Sequence, residues 1–210
     1  MQRTNNSARR RVRTASRLIP GGAILALAAA CGGDSGPPTS EDGWQTLFDG
    51  SSLDYWTIVG DANWQVADGA VSADSSTANS FLVSNGTYAD FELELEFWVD
   101  SEANSGIFLR CQDPAAPSEN SCYEVNIFDT RSDQTYRTGG IVNLAEPMQF
   151  VYTGGQWNRY EIKAEGSHLE VMLNGKDMVD IEDSQHAAGN LALQYGQGTV
   201  RFRNVRVRPL

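Results

Sequence analysis

A chain of 210 residues carries 16 basic and 27 acidic side chains, a net charge of −11 at neutral pH, and a mean hydropathy of −0.38. That balance argues against a surface built for polyanions, so neither nucleic acid nor anionic membrane is expected as a partner. The 40% of apolar residues is enough for one domain with a buried core.

Residues 1–17 hold six arginines and no acid, and a short apolar run, Leu18 to Ala30, follows them. A basic region, an apolar stretch and small residues before a cleavage point are the pattern of an export signal. The apolar stretch is too short to span a bilayer comfortably. Cys31 stands directly after Ala28-Ala29-Ala30, which resembles a bacterial lipoprotein signal with Cys31 as the lipidated residue. The alternative is an ordinary signal with an incidental cysteine. The arginine pair also allows a twin-arginine export route. The expected organisation is a signal over 1–30, a flexible tether over 31–41 rich in Gly, Ser and Pro, and one domain over 42–210. The expected location is outside the cytoplasm, facing the periplasm or the cell surface, with the lipid as the sole membrane attachment. Loss of the signal removes six of 16 basic residues and no acid, so 10 face 27 and the charge becomes −17.

The domain opens with Gly43-Trp44-Gln45-Thr46-Leu47-Phe48-Asp49-Gly50, followed by Leu53, Trp56 and Trp64-Gln65-Val66. Tryptophan at this density reads as core packing. Asp68-Gly69 predicts a tight hairpin turn, and Phe81-Leu82-Val83 a short strand. Phe91 to Trp98 alternates strictly: Phe91, Leu93, Leu95 and Phe97 are expected to face the core, and Glu92, Glu94, Glu96 and Trp98 to face away. Three carboxylates in line call for a cation alongside, and Arg110 on the next strand is one candidate. Residues 130–156, rich in Gly and Thr, predict a long loop over one end of the sheet. Further strands are expected over 156–164, 169–173, 189–195 and 200–208, with a type I′ turn at Asn174-Gly175. A single helical turn is predicted near Asp183–Ala187. The pattern as a whole predicts an antiparallel β-sandwich.

The central stretch is 104–129. Two alternating runs, Asn104 to Cys111 and Cys122 to Asp129, predict neighbouring strands. Pairing their apolar faces puts Phe108, Arg110, Glu124 and Asn126 together on the other face. Cys111 and Cys122, at the inner ends of the runs, are expected to pair in an oxidising compartment. The loop they close is short, worth about 3 kcal/mol on the chain-entropy argument. No Cys/His cluster exists for zinc, and His168 and His186 read as isolated surface residues.

These motifs, taken in order, resemble the 3-keto-disaccharide hydrolase domain family. The matching residues are Gly43 to Gly50 with Leu53 and Trp56; Trp64 to Val66 with Asp68-Gly69; Asp90 to Leu93 with Leu95 to Phe97; and Asn104 to Arg110. They continue with Tyr123-Glu124-Val125, Ile127 and Asp129; Thr138-Gly139; Trp157-Asn158 with Tyr160-Glu161; Leu173 to Gly175; and Phe202 to Val205. The resemblance implies a jelly roll of the concanavalin-A-like lectin/glucanase type and activity on glycosides oxidised at C3 of one sugar. Two departures stand out. Tyr195 occupies a position where the family often has His after the glutamine at Gln194, and Asn126 stands where Gln is more frequent.

A ketone at C3 acidifies the C2–H, so a base can remove that proton and the C1 substituent can leave. Water then adds back. Glu124 or Glu96 is the expected base, and Tyr195 the expected acid. Arg110 is expected to stabilise the enolate, alone or with a divalent ion held by Glu96, Glu124 or Asp129. Trp98, Asn104, Phe108, Asn126, Asp129 and Gln194 are expected to bind the sugar. Two other readings stay open: a tethered carbohydrate-binding module without catalysis, and a scaffold for another surface protein.

Overall fold

The computed structural model describes residues 36–210 together with Met1 and Gln2, so the predicted signal, Cys31 and the first part of the tether lie outside the described residues. The unit Ser35–Leu210 is an antiparallel sandwich of two sheets. In chain order the strands are β1 (Gln45–Phe48), β2 (Trp56–Val59), β3 (Gln65–Ala67), β4 (Ala70–Ala73), β5 (Ser80–Tyr88), β6 (Phe91–Val99) and β7 (Ser105–Cys111). They continue as β8 (Tyr123–Ile127), β9 (Trp157–Glu165), β10 (His168–Leu173), β11 (Lys176–Glu182), β12 (Gly189–Tyr195) and β13 (Val200–Pro209). The larger sheet runs β11-β10-β9-β6-β13-β4-β3, with β1 also paired to β13, and the smaller runs β2-β5-β12-β7-β8.

Period-two patterning builds the layer between the sheets. Phe91, Leu93, Leu95 and Phe97 of β6 pack inward with Phe202, Val205 and Val207 of β13. Ile107, Leu109, Tyr123, Val125, Ile127, Leu191 and Leu193 meet them from the smaller sheet. Burial of each such side chain stabilises the fold by about 1.5–3 kcal/mol. Both predicted hairpin turns are present, with positive φ at Asp68 (52°) and Gly69 (74°) and at Asn174 (52°) and Gly175 (73°).

Three expectations change. β6 and β7 are consecutive in sequence but lie in different sheets, so Arg110 is not beside Glu92, Glu94 and Glu96. Their partners come from β13, where the register sets Arg203 opposite Glu96, Arg206 opposite Glu94 and Arg208 opposite Glu92. Each of these pairs is an ion pair. The segment 183–187 contains no helical turn; the short 3-10 turn is Gln134–Tyr136, capped by Asp133, whose carboxylate accepts from Thr135 N.

The loop 130–156 reaches beyond a sheet end, where Gly155 N donates to Val99 O. It closes the open side of the sandwich between β8 and β11. Asn126 N donates to Gly140 O and Val142 N to Glu124 O on one flank; Met148 N donates to Met178 O on the other. Asp129 organises this loop, accepting from Thr138 Oγ1 at 2.6 Å, Thr153 N at 2.6 Å and Gly154 N at 3.2 Å.

Candidate functional site

The outward face of the smaller sheet is built from alternate residues of four strands. Antiparallel register places Phe108 opposite Glu124 and Gly106 opposite Asn126. On the other side of β7, Ala192 pairs with Phe108; Gln194 pairs with Phe81 and Ala192 with Val83. The face therefore carries two rows. One runs Val83, Ala192, Phe108, Glu124; the other runs Phe81, Gln194, Gly106, Asn126. Phe81, Val83, Phe108 and Ala192 form with the cysteines an apolar cluster separate from the core. Phe81 and Phe108 meet edge to face, with ring centroids 5.3 Å apart. The Cys111–Cys122 disulfide forms as expected and ties the lower ends of β7 and β8.

Polar groups on this face are left over. Glu124 is 8% exposed, and its carboxylate has no hydrogen-bond or ion-pair partner among the described residues. Burial, reinforced by the charge of Glu119 and opposed by Arg131, pushes its carboxyl up to about 7. Asn126 Oδ1 and Gln194 Oε1 are buried without a hydrogen-bond partner among the described residues. The Asn126 amide nitrogen is already used, donating to Tyr136 O, and its backbone O accepts from Tyr160 Oη at 2.7 Å. Leaving a buried acceptor unpaired costs about 1–3 kcal/mol, so two such oxygens beside an isolated carboxyl make this face the candidate site.

The structure separates the sequence-predicted residues into those on this face and those elsewhere. Glu124, Asn126, Phe108 and Gln194 are together. Arg110 is not. Alternation would aim it at the same face, but β7 has an irregular register against β12 here and Arg110 adopts φ 52°. Its guanidinium turns to the lower end of the sandwich and is fully buried there. It donates to Ala89 O at 2.7 Å, Gly166 O at 2.8 Å and His186 O at 3.1 Å, and pairs with Asp90 at 3.2 Å. His186 is correspondingly buried, not a surface residue; its ring packs on Tyr123 at 4.9 Å. Desolvation holds the His186 imidazole below its usual range.

Glu96 and Trp98 lie on the outward face of the other sheet, Glu96 paired with Arg203 and Trp98 under Arg201 at 5.0 Å. Tyr195 points into the core, edge-on to Trp64 at 6.5 Å. Asn104 sits at the rim, where its backbone O accepts from Gly196 N and Gln197 N. Asp129 is occupied by the loop it organises. Glu96, Glu124 and Asp129 therefore do not form a common ion site among the described residues. Among the described residues the three-donor cluster is His168, Glu170 and Asp180, on the larger sheet, where His168 Nε2 lies 2.7 Å from Asp180 Oδ1. That pairing raises the His168 imidazole above its usual range.

Two open grooves of about 400 and 380 Å³ lie along the larger sheet and share Glu94. Several of their charges are matched: Arg206 and Arg159 both reach Glu94, and Arg206 and Arg208 cover Trp44 at 4.5 and 5.0 Å, although Arg208 Nε is buried without a partner among the described residues. Groove size thus points to the larger sheet and the buried carboxyl with its amide oxygens to the smaller one, which is the stronger candidate site. Sequence reasoning missed Phe81, Gly106 and Tyr136 as parts of it. Phe81 belongs to a distant strand whose neighbours only the topology reveals.

The outer face of the smaller sheet in this antiparallel sandwich is thus lined by aromatic rings and amides. The chain belongs to the family of 3-keto-alpha-glucoside-1,2-lyase-like domains, whose sequence profile it matches over residues 43–208. It is 30% identical over 87 residues to a 3-keto-disaccharide hydrolase of Bacteroides thetaiotaomicron. That alignment covers 36% of this chain and 30% of the relative, so the match spans under a third of that protein. In fold it is similar to a proposed glycosyl hydrolase of Parabacteroides distasonis, with a TM-score of 0.71 and 19% identity, covering 83% of this chain and 99% of that one. It is also similar to the carbohydrate-binding module CBM66 of Bacillus subtilis, with a TM-score of 0.56 and 17% identity over 82% and 99% of the two chains.

Proposed function

We propose that this domain cleaves glycosides carrying a ketone at C3, using Glu124 on the outward face of the smaller sheet. The observation that carries the reading is the buried, unpartnered Glu124 carboxyl, poised near neutrality between orphaned amide oxygens and an aromatic floor. Glu124 takes the C2 proton, and the electron pair forms the enolate conjugated with the C3 carbonyl. The enolate expels the C1 oxygen, which recovers the proton from Glu124, leaving a C1–C2 double bond. Water added across that bond gives net hydrolysis. Arg110 is too far into the lower end to hold the enolate, and Tyr195 faces the core, so neither keeps its expected role. Gln194 supplies an amide N–H on the same face for the developing charge.

Incubating the purified domain with trehalose oxidised at C3 of one ring, with and without chelator, tests this. Release of free sugar that disappears in Glu124→Gln is the expected result. Absence of release under both conditions rejects it. The likeness to a carbohydrate-binding module and the removal of Arg110 from the face favour a second reading, in which the face holds glycan without cleaving it. Saturable binding with no product would establish that alternative. We further propose, from the basic region and apolar run that precede Cys31, that the domain acts outside the cytoplasm, tethered through a lipid on that cysteine; mass spectrometry of the membrane-extracted protein tests the lipid.

A further inference from the structure

On the outward face of the larger sheet the supply of cations runs out toward β11. Arg203, Arg206 and Arg208 of β13 match the glutamates of β6, and Arg159 of β9 pairs with Glu161 at 3.0 Å. Lys163 is taken by Glu165 at 2.7 Å. Beyond it stand Glu170 of β10 and Asp180 and Glu182 of β11, with His168 of β10 beside them. Register fixes this group. Glu170 lies directly opposite Asp180, and His168, two residues from Glu170, shares its face. β10 is paired on both flanks, to β9 and to β11, so two ladders hold its backbone in place.

His168 sets this corner apart from a solvated acidic edge, because each ring nitrogen faces a different carboxylate. Nε2 lies 2.7 Å from Asp180 Oδ1, and Nδ1 lies 4.0 Å from Glu170 Oε2. One ligand atom from each of His168, Glu170 and Asp180 falls within 4.8 Å of the other two. Ligands bonded to a zinc ion at about 2.0–2.2 Å stand about 3.4 Å apart in a tetrahedron. Small rotations of the three side chains supply that spacing, and these side chains are 35%, 41% and 62% exposed, so an ion reaches them from solvent. Glu170 and Asp180 also line the open groove of about 400 Å³, which leaves the remaining coordination positions to water. Glu182 accepts from Ser167 Oγ and stays outside the set.

We propose that His168, Glu170 and Asp180 bind one divalent transition ion of the zinc class, which clamps the margin strand β11 to β10. An imidazole with two carboxylates suits zinc and its first-row neighbours, whereas calcium and magnesium take six or more oxygens. Without the ion, the hydrogen bond to Asp180 and the charges of Glu170 and Glu182 hold the His168 imidazole above its usual range. The ion must displace that proton, so affinity falls in acid. The site lies on the opposite sheet from Glu124, and the proposed cleavage does not use it.

Calorimetry with zinc chloride at pH 7.5, on the full chain purified without a histidine tag, provides the test. The chain has two histidines, and His186 is buried, so a histidine-dependent signal reports on His168. Saturable binding of one ion per chain is expected, with calcium chloride failing to compete at about hundredfold excess. Zinc should raise the Tm. His168→Gln and Asp180→Asn should each weaken binding at least about tenfold, and so should a shift to pH 5.5. Glu161→Gln, which neutralises an acid of the same face outside the three, should leave binding unchanged. Absence of saturable zinc binding overturns the site, as does binding that His168→Gln leaves intact. Even competition by calcium, or equal weakening by Glu161→Gln, marks diffuse attraction to an acidic surface and overturns it as well. Turnover of the oxidised disaccharide enters none of these readouts, so failure here leaves the cleavage reading standing.

Discussion

The two outward faces of the sandwich are made by the same alternation and have opposite chemistry. On the larger sheet, Glu92, Glu94 and Glu96 each meet an arginine of β13, and Trp44, Trp98 and Trp157 lie under guanidinium groups. These charges are half-exposed and matched. On the smaller sheet the outward side chains are buried, mainly apolar, and include a carboxyl and two amide oxygens with nothing to bind. A charged row read from sequence draws attention to the first face. The second carries a buried carboxyl and two buried amide oxygens without a partner among the described residues. Charge density and functional need are therefore different signals, and only partner assignment separates them.

Glu124→Gln breaks this comparison most strongly. Turnover of a 3-keto-glycoside should fall by about 10²–10⁴-fold, the usual worth of a general base. In the wild type kcat/KM should rise with pH through about 7, because the base must be deprotonated. The same residue has a signature in stability. Its folded pKa is raised, so the folded protein holds the proton more tightly than the unfolded chain. Stability is then lost as pH rises from the unfolded value near 4.5 to about 7. Glu124→Gln should be more stable than wild type by a few kcal/mol at pH 8 and indistinguishable at pH 4, as read by denaturant titration.

Arg110→Ala comes next, with an expected loss of about 3–5 kcal/mol, because it empties a fully buried site and leaves the carbonyls of Ala89, Gly166 and His186 and the half-exposed Asp90 without their donor. Arg110→Lys, if folded, should turn over substrate normally per folded molecule; a specific loss of kcat would return Arg110 to the site. Replacing Cys111 and Cys122 by Ser should cost about 3 kcal/mol in the same measurement. The smallest effect belongs to the matched face: Arg206→Ala should cost about 0.2–1 kcal/mol and lose its effect in high salt. Catalysis that failed with Arg206→Ala would reverse the assignment of the two faces.

How much of this was legible varies by residue. The sandwich, the turns at Asp68-Gly69 and Asn174-Gly175 and the inward face of β6 follow from local patterns, which period and turn chemistry determine. Phe108, Glu124, Gln194 and Asn126 keep the facing that simple alternation gives. Arg110 broke the rule because one irregular residue with positive φ reverses every inference made from period two. Glu96 went astray for a different reason: neighbours in sequence were taken as neighbours in space, whereas β6 and β7 belong to separate sheets. The orphaned oxygens had no sequence signal at all, since the absence of a partner is a property of the assembled face.

The loop between β8 and β11 has a further consequence. Strands at the margin of a sheet offer unpaired N–H and C=O groups to any passing strand. Here Gly140 and Val142 occupy those groups along β8, while Met148 and Gln149 engage the backbone of β11. One segment thus blunts a margin of each sheet at once, and a β-strand from a neighbouring copy finds nothing to extend on that side. That stitching is a guard against fibrous self-association.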